Sequence, residues 1–83
     1  MALQDDFNAA VARSKDLTER PSNDVLLKIY ALFKQATEGD VSGERPGGFD
    51  FKAIAKFDAW ANEKGKQKEA AMEEYIQLMN SLK

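Results

Sequence analysis

Three residues near the middle of the chain place aromatic rings and a positive charge on one helical face. Tyr30, Phe33 and Lys34 are spaced i, i+3 and i+4, and side chains at this spacing are neighbours on a helix. Aromatic residues in such a stripe usually belong to a core, and a lysine beside them can extend its apolar stem along the core edge. The same arrangement also suits the mouth of a pocket where an apolar tail meets an anionic head.

A second cluster has the same character. Lys52, Lys56 and Trp60 follow one another at intervals of four residues, and Phe57 lies beside them in the sequence. Two lysines at this spacing repel each other mildly. A bound anion would relieve that repulsion, although simple solvation with an aspartate nearby is the more ordinary explanation.

Tyr75 and Lys15 each carry a polar group that needs a partner. Tyr75 falls in an apolar helical pattern, and buried tyrosines usually find a hydrogen-bond partner, so a structural role is open to it. Lys15 falls near the end of the first predicted helix, where the helix dipole favours positive charge.

The chain contains no histidine and no cysteine. The commonest general base and metal ligand are therefore missing, and so is any thiolate nucleophile. None of the four serines lies in a nucleophile-elbow motif, and the acidic residues lack the spacing of a calcium loop. These absences favour a binding protein over an enzyme, with no metal and no resident cofactor.

The chain is 83 residues long, which is the size of a single domain, residues 1–83. Its net charge is −2, from 12 basic and 14 acidic side chains. That balance argues against a general nucleic-acid or anionic-membrane binder, but it permits a local basic cluster aimed at one anion. Without a membrane-length apolar stretch, a signal peptide or cysteines, we expect a cytoplasmic protein with no integral membrane association.

Apolar residues at helical spacing predict four helices and no strand. The second helix has an unusually wide apolar face, from Leu26 to Ala36. Ser22 or Asn23 is the candidate N-cap of that helix, and Asp50 of the third. The predicted helices are Leu3–Asp16, Asn23–Thr37, Phe51–Lys64 and Gln67–Leu82.

The glycine-rich segment 38–50 interrupts the helical pattern. A loop of this length is uncommon in so small a domain and is often functional, unless it is a plain spacer between helices. Gly65 is predicted to end the third helix.

Several spaced motifs lie between Tyr30 and Tyr75. They are YxxFKQATxGD in the second helix and its exit, ERPG in the loop, KFDAW in the third helix and KEAAMxxYI in the fourth. In this order they resemble the acyl-CoA-binding protein family. With the first helix and Pro21, the resemblance extends over essentially the whole chain.

The resemblance implies an all-α fold, a four-helix up-down-down-up bundle. It also implies a monomeric, non-catalytic carrier and buffer of medium- and long-chain fatty acyl-CoA esters. In the family, residues matching Tyr30, Lys34, Lys56 and Tyr75 contact the nucleotide headgroup. The acyl-CoA-binding residues that the resemblance implies are Lys15, Tyr30, Phe33, Lys34, Lys52, Lys56 and Tyr75.

The sequence departs from the family pattern at three positions. Phe33 replaces a tyrosine, which removes one hydroxyl but retains the stacking surface, and Phe57 replaces a tryptophan. Gln67 replaces the serine or threonine that caps the fourth helix, and such a loss costs about 1 kcal/mol.

Two other functions remain open from the residues alone. A helical protein-interaction module would present a broad exposed apolar patch to a peptide. An accessory subunit of a lipid-metabolising enzyme would leave the catalytic groups to another chain. A nucleic-acid-binding helical domain is disfavoured by the net charge.

Overall fold

Two of the four helices begin where a side chain accepts a hydrogen bond from a free backbone N–H group of the first turn. In the computed structural model, which describes residues 2–17 and 20–82, the Ser22 hydroxyl accepts from the Val25 N–H at 3.3 Å and the Asp50 carboxylate accepts from the Ala53 N–H at 3.2 Å. The predicted cap at Asp50 is confirmed, Ser22 and not Asn23 caps the second helix, and Gln67 makes no such bond. The four helices are α1 (Leu3–Ser14), α2 (Asn23–Glu38), α3 (Phe51–Ala61) and α4 (Lys68–Ser81).

Two predicted helix ends are wrong by more than one residue, whereas the bounds of α2 and α4 differ from the prediction by at most one residue. The first helix ends at Ser14 instead of Asp16, and the third ends at Ala61 instead of Lys64. In both cases the following backbone N–H groups bond to the carbonyl three residues back, for example Lys64 to Ala61 at 3.1 Å. This tighter winding ends the α-helix, because an α-helix needs bonds to the fourth residue back.

The hydrophobic core lies among α1, α2 and α4. α4 packs against both α1 and α2, whereas α3 packs against α2. The buried core residues are Phe7, Ala10, Leu32, Ala36, Ala71, Met72, Tyr75 and Met79.

α2 and α3 run in the same direction. Their first residues, Asn23 and Phe51, line one groove, while near their other ends the Trp60 indole N–H donates to the Gly39 carbonyl at 2.9 Å. The chain must therefore return along α2, a helix of about 24 Å, before α3 begins. The segment 39–50 has enough residues to span that distance when extended, so the length of this loop has a topological reason.

A hydrogen-bonded network joins the end of α2 to the start of α4. The side-chain amide of Gln35, which is fully buried, donates to the Asp40 carboxylate at 2.9 Å and to the Lys66 carbonyl at 2.7 Å. The Gly65 N–H donates to the same carboxylate oxygen at 2.8 Å. The bonds from Gly65 and Gln35 hold the pKa of Asp40 below its ordinary value. α4 therefore starts where α2 ends and runs back along it, and the prediction of an all-α four-helix bundle is confirmed.

Glu63 fastens α2 to the turn that follows α3. Its side chain is only 6% exposed, and its carboxylate accepts from Lys28 at 2.6 Å and from Lys66. Burial alone would raise the pKa of Glu63, but the hydrogen bonds from the two lysines outweigh burial and leave the pKa below its ordinary value. The ionised carboxylate therefore stabilises the folded state.

We predict that Glu63→Gln lowers the free energy of unfolding by about 1–3 kcal/mol at pH 7, the scale of hydrogen bonds to a charged group. The pKa of Glu63 is lower in the folded than in the unfolded state. The stabilisation by its ionised carboxylate is therefore complete above the unfolded-state pKa of about 4.3, and it is lost as the pH falls through the folded-state pKa. Urea unfolding of both proteins at several pH values would measure this. A difference that stayed constant into strong acid would contradict it.

Candidate functional site

A groove of about 470 Å³ opens between the first halves of α2 and α3. Its volume lies within the range of small-molecule sites. Its floor is apolar, three cationic side chains lie along it, and no acidic side chain among residues 2–17 and 20–82 lines it. The lining residues are Arg20, Asn23, Leu26, Leu27, Tyr30, Phe51, Lys52, Ala55 and Lys56.

The floor accounts for the unusually wide apolar face of the second helix. Leu32 and Ala36 of α2 are buried in the core, whereas Leu26 and Leu27, nearer its start, line the groove. One helix thus has two apolar surfaces, one for α1 and α4 and another for the groove. The width of the apolar pattern was the sequence signal for these floor residues.

Two lysines lie over aromatic rings, one helical turn apart. The Lys56 ammonium is 5.5 Å from the centre of the Tyr30 ring, and the Lys34 ammonium is 4.9 Å from the centre of the Trp60 ring. Both distances fall within the range of cation–π attraction. These contacts orient two positive charges on the α2–α3 side of the molecule.

The two lysines differ in their carboxylate partners. Lys34 also forms an ion pair with Glu38, one turn later on α2. No carboxylate within residues 2–17 and 20–82 pairs with Lys56, and its side chain lies in the groove. An incoming anion therefore meets Lys56 directly, but it competes with Glu38 for Lys34.

The structure brings some of the sequence-predicted residues together and separates others. Tyr30, Lys52 and Lys56 line the groove, and Lys34 lies one turn farther along α2. Phe33 and Tyr75 instead flank Phe7 of α1, with ring centres 6.2 Å and 5.1 Å from it. They lie on the core side of α2, because that is where α1 and α4 pack.

Lys15 lies farther away, at the exposed C-terminal end of α1. It does not line the groove.

Several groove residues were not singled out by sequence reasoning. Arg20 precedes α2 in an irregular segment, and Asn23 appeared only as a possible cap. Phe51 and Ala55 read as ordinary members of an apolar helix face. Only the packing of α3 beside α2 places them on the same groove.

Most of the chain matches one family. The sequence profile described as "Acyl CoA binding protein" matches residues 4–79. The chain belongs to this family. It is 49% identical over 80 residues to the "Acyl-CoA-binding protein homolog" of Drosophila melanogaster, covering 96% of this chain and 93% of that protein. It is 45% identical over 82 residues to the "Acyl-CoA-binding protein" of Brassica napus, covering 99% and 89% of the two chains.

Solved structures of acyl-CoA-binding proteins have the same fold. The crystal structure of Oryza sativa Acyl-CoA-Binding Protein 2 superposes with a TM-score of 0.93 at 42% identity, covering 98% of this chain and 90% of that one. That of the protein from Moniliophthora perniciosa superposes with a TM-score of 0.90 at 37% identity, covering 99% and 80%. These comparisons confirm the resemblance and the four-helix fold that it implies.

The position of Tyr75 generates a prediction about stability. Its side chain is 2% exposed and its ring packs edge-on against Phe7. We expect Tyr75→Ala to lower the free energy of unfolding by about 3–5 kcal/mol, the cost of truncating a buried aromatic residue. Tyr75→Phe keeps the ring and is the matched control, expected to change stability by less than about 1.5 kcal/mol. Equal losses in urea unfolding would show that the hydroxyl, and not the ring, holds this part of the core.

Proposed function

We propose that this chain is a non-catalytic carrier that binds medium- to long-chain fatty acyl-CoA esters. The observation that carries the proposal is the α2–α3 groove, which joins an apolar floor to a cationic rim. Membership of the acyl-CoA-binding protein family and the names of the relatives support the same ligand. An acyl-CoA has the matching division into a hydrocarbon tail and a multiply anionic head.

The apolar floor offers the tail a favourable environment. Each buried methylene contributes about 0.8 kcal/mol, so twelve contribute roughly 10 kcal/mol before association costs are subtracted. The radius of gyration of the Cα atoms is 13.0 Å, close to that of a compact chain of this size. So small a domain suits an open groove better than a closed cavity, and in such a groove the headgroup would cover the tail.

The rim provides the contacts for the headgroup. We assign phosphate contacts to Lys52, Lys56 and Lys34, because ammonium groups pair with phosphate as point charges. Tyr30 presents an aromatic face on which adenine can stack.

Three further residues belong to the proposed site through the family resemblance. Phe33 and Tyr75 lie on the α1 and α4 side of α2, and Lys15 follows the last residue of α1. A headgroup that contacted them as well as Lys56 would have to lie across α2. Phe33, where the family has a tyrosine, would contribute ring contact without a hydroxyl.

The remaining parts of the proposal concern the chain as a whole. We propose that residues 1–83 act as one acyl-CoA-binding domain, as a monomer in the cytoplasm, without a nucleic-acid partner. No helix within residues 2–17 and 20–82 is long and apolar enough to cross a bilayer. The chain has no histidine or cysteine to attack a thioester, which suits carriage of an intact ester.

Calorimetric titration with palmitoyl-CoA, free CoA and palmitate tests the ligand class. The proposal requires the intact thioester to bind far more tightly than either half. Equal affinity for palmitate would indicate a fatty-acid binder, and no binding of any of the three would favour a protein-interaction module.

We predict that Lys34→Ala and Lys56→Ala each weaken palmitoyl-CoA binding by about 1–3 kcal/mol, the scale of a lost charge-assisted hydrogen bond. Lys64→Ala is the charge-matched control, since Lys64 is exposed on the turn after α3 and does not line the groove. Circular dichroism would establish that the helices are intact. Full affinity in both variants would show that the residue assignment is wrong.

Glu38 provides an independent test of the role of Lys34. We expect Glu38→Gln to strengthen palmitoyl-CoA binding by about 0.5–1 kcal/mol at low salt, because it releases the Lys34 ammonium from an exposed ion pair. The gain should vanish when Lys34→Ala is also present. Glu69→Gln, on the exposed first turn of α4, removes the same charge elsewhere. A gain of equal size there would mean that only net charge matters.

A further inference from the structure

Two aromatic side chains lie where the long loop enters α3. Phe49 is 91% exposed and Phe51 is 71% exposed. Their rings contact each other edge to face, with centres 6.4 Å apart. Phe51 lines the groove, whereas Phe49 lies outside it. Phe49 therefore extends the apolar lining of the groove through its neighbour, while almost all of its own surface remains in water.

The groove has two different ends. At one end the Lys56 ammonium lies over the Tyr30 ring, and Lys34 lies one turn farther along α2. At the other end are Asn23 and Phe51, the first residues of α2 and α3. With its headgroup on Lys34 and Lys56, an acyl-CoA would direct its tail toward Phe51. A long tail would then end beside Phe51, whereas a short tail would end before reaching it.

The loop is fixed to α3 on both sides of this position. Upstream, Arg45 forms two hydrogen bonds with Asp58, at 2.8 and 2.9 Å. Downstream, the Phe51 N–H donates to the Phe49 carbonyl at 3.0 Å, and the Asp50 carboxylate caps α3. Only a short piece of backbone between these anchors can change its course.

That piece contains two consecutive glycines. Gly47 and Gly48 lie directly before Phe49, and a side chain at either position would meet no atom within 4 Å. Gly48 has a φ of +71°, which glycine adopts without steric cost. Small residues between fixed points are typical hinges of loops that close over ligands. The Phe49 ring can therefore swing toward the groove while the ends of the loop stay in place.

We propose that Phe49 is a specificity-determining residue that closes over the end of a long acyl tail and so favours long tails over short ones. The inference rests on the carrier function proposed above. Closure removes the Phe49 ring and the last methylenes of the tail from water together. A tail that ends before Phe51 offers the ring no such contact. A peptide partner fits less well, because two rings make only a small apolar patch.

Calorimetric titration of the parent protein and Phe49→Ser with palmitoyl-CoA and octanoyl-CoA tests this selectivity. The titrations are made without lipid and below the concentrations at which the ligands form micelles. We expect Phe49→Ser to weaken palmitoyl-CoA binding about tenfold and octanoyl-CoA binding by less than about twofold, because only the long tail buries the ring. Equal losses for the two ligands, or no loss for palmitoyl-CoA, would overturn the proposal.

Phe49→Leu is the matched control, because it keeps an apolar side chain at the same position. Its affinity for palmitoyl-CoA should stay within about threefold of that of the parent protein. A loss as large as that of Phe49→Ser would show that contact of an apolar side chain with the tail is not what the position provides, and would overturn the proposal.

Closure itself is observed with Phe49→Trp. Its additional fluorescence, relative to the parent protein, should shift to shorter wavelength with palmitoyl-CoA but not with octanoyl-CoA or free CoA. A shift with free CoA, or none with palmitoyl-CoA, would refute closure over the tail.

The two proposals fail in different ways. A parent protein that does not bind palmitoyl-CoA would refute the carrier function. A parent protein that binds it as tightly as Phe49→Ser does would refute the role of Phe49 alone.

Discussion

The contact between α2 and α3 creates the groove in which we propose that this protein binds its ligand. The two helices run in the same direction, and their first halves diverge enough to leave the groove while their far ends are tied by the Trp60 bond to Gly39. Glu63 holds Lys28 of α2 close to the turn after α3. These ties lie outside the groove, since neither Trp60 nor Glu63 lines it.

α2 is therefore shared between two tasks. Toward α1 and α4 it contributes Leu32 and Ala36 to the only part of the described chain where large side chains are fully buried together. Toward α3 it contributes Leu26, Leu27 and Tyr30 to the groove. A domain of this size has little apolar surface to spare, and placing both surfaces on one helix lets the core hold the groove wall rigid.

The cations around the groove are not equivalent. Lys34 forms an ion pair with Glu38 and lies over the Trp60 ring. These contacts fix the position of the ammonium group but reduce its availability to an anion. The Lys56 ammonium lies over the Tyr30 ring and has no carboxylate partner among the described residues. Lys52 lines the same groove. The most available positive charge thus lies beside Phe51 and the exposed Phe49. This arrangement places the attraction for an anionic head next to the apolar floor that would hold its tail.

The sequence by itself predicted the four helices, a cap at Asp50 and another at Ser22 or Asn23, and the family, because helical periodicity, capping chemistry and the spaced motifs are local properties of the chain. It also marked Tyr30, Lys52 and Lys56, which share helix faces at short spacing. Only the tertiary structure decided that Arg20, Leu26 and Phe51 line one groove, that Phe33 and Tyr75 flank Phe7 instead, and that α3 ends at Ala61. These outcomes depend on which helices pack together, and residues far apart in the sequence carry no local signal of that contact.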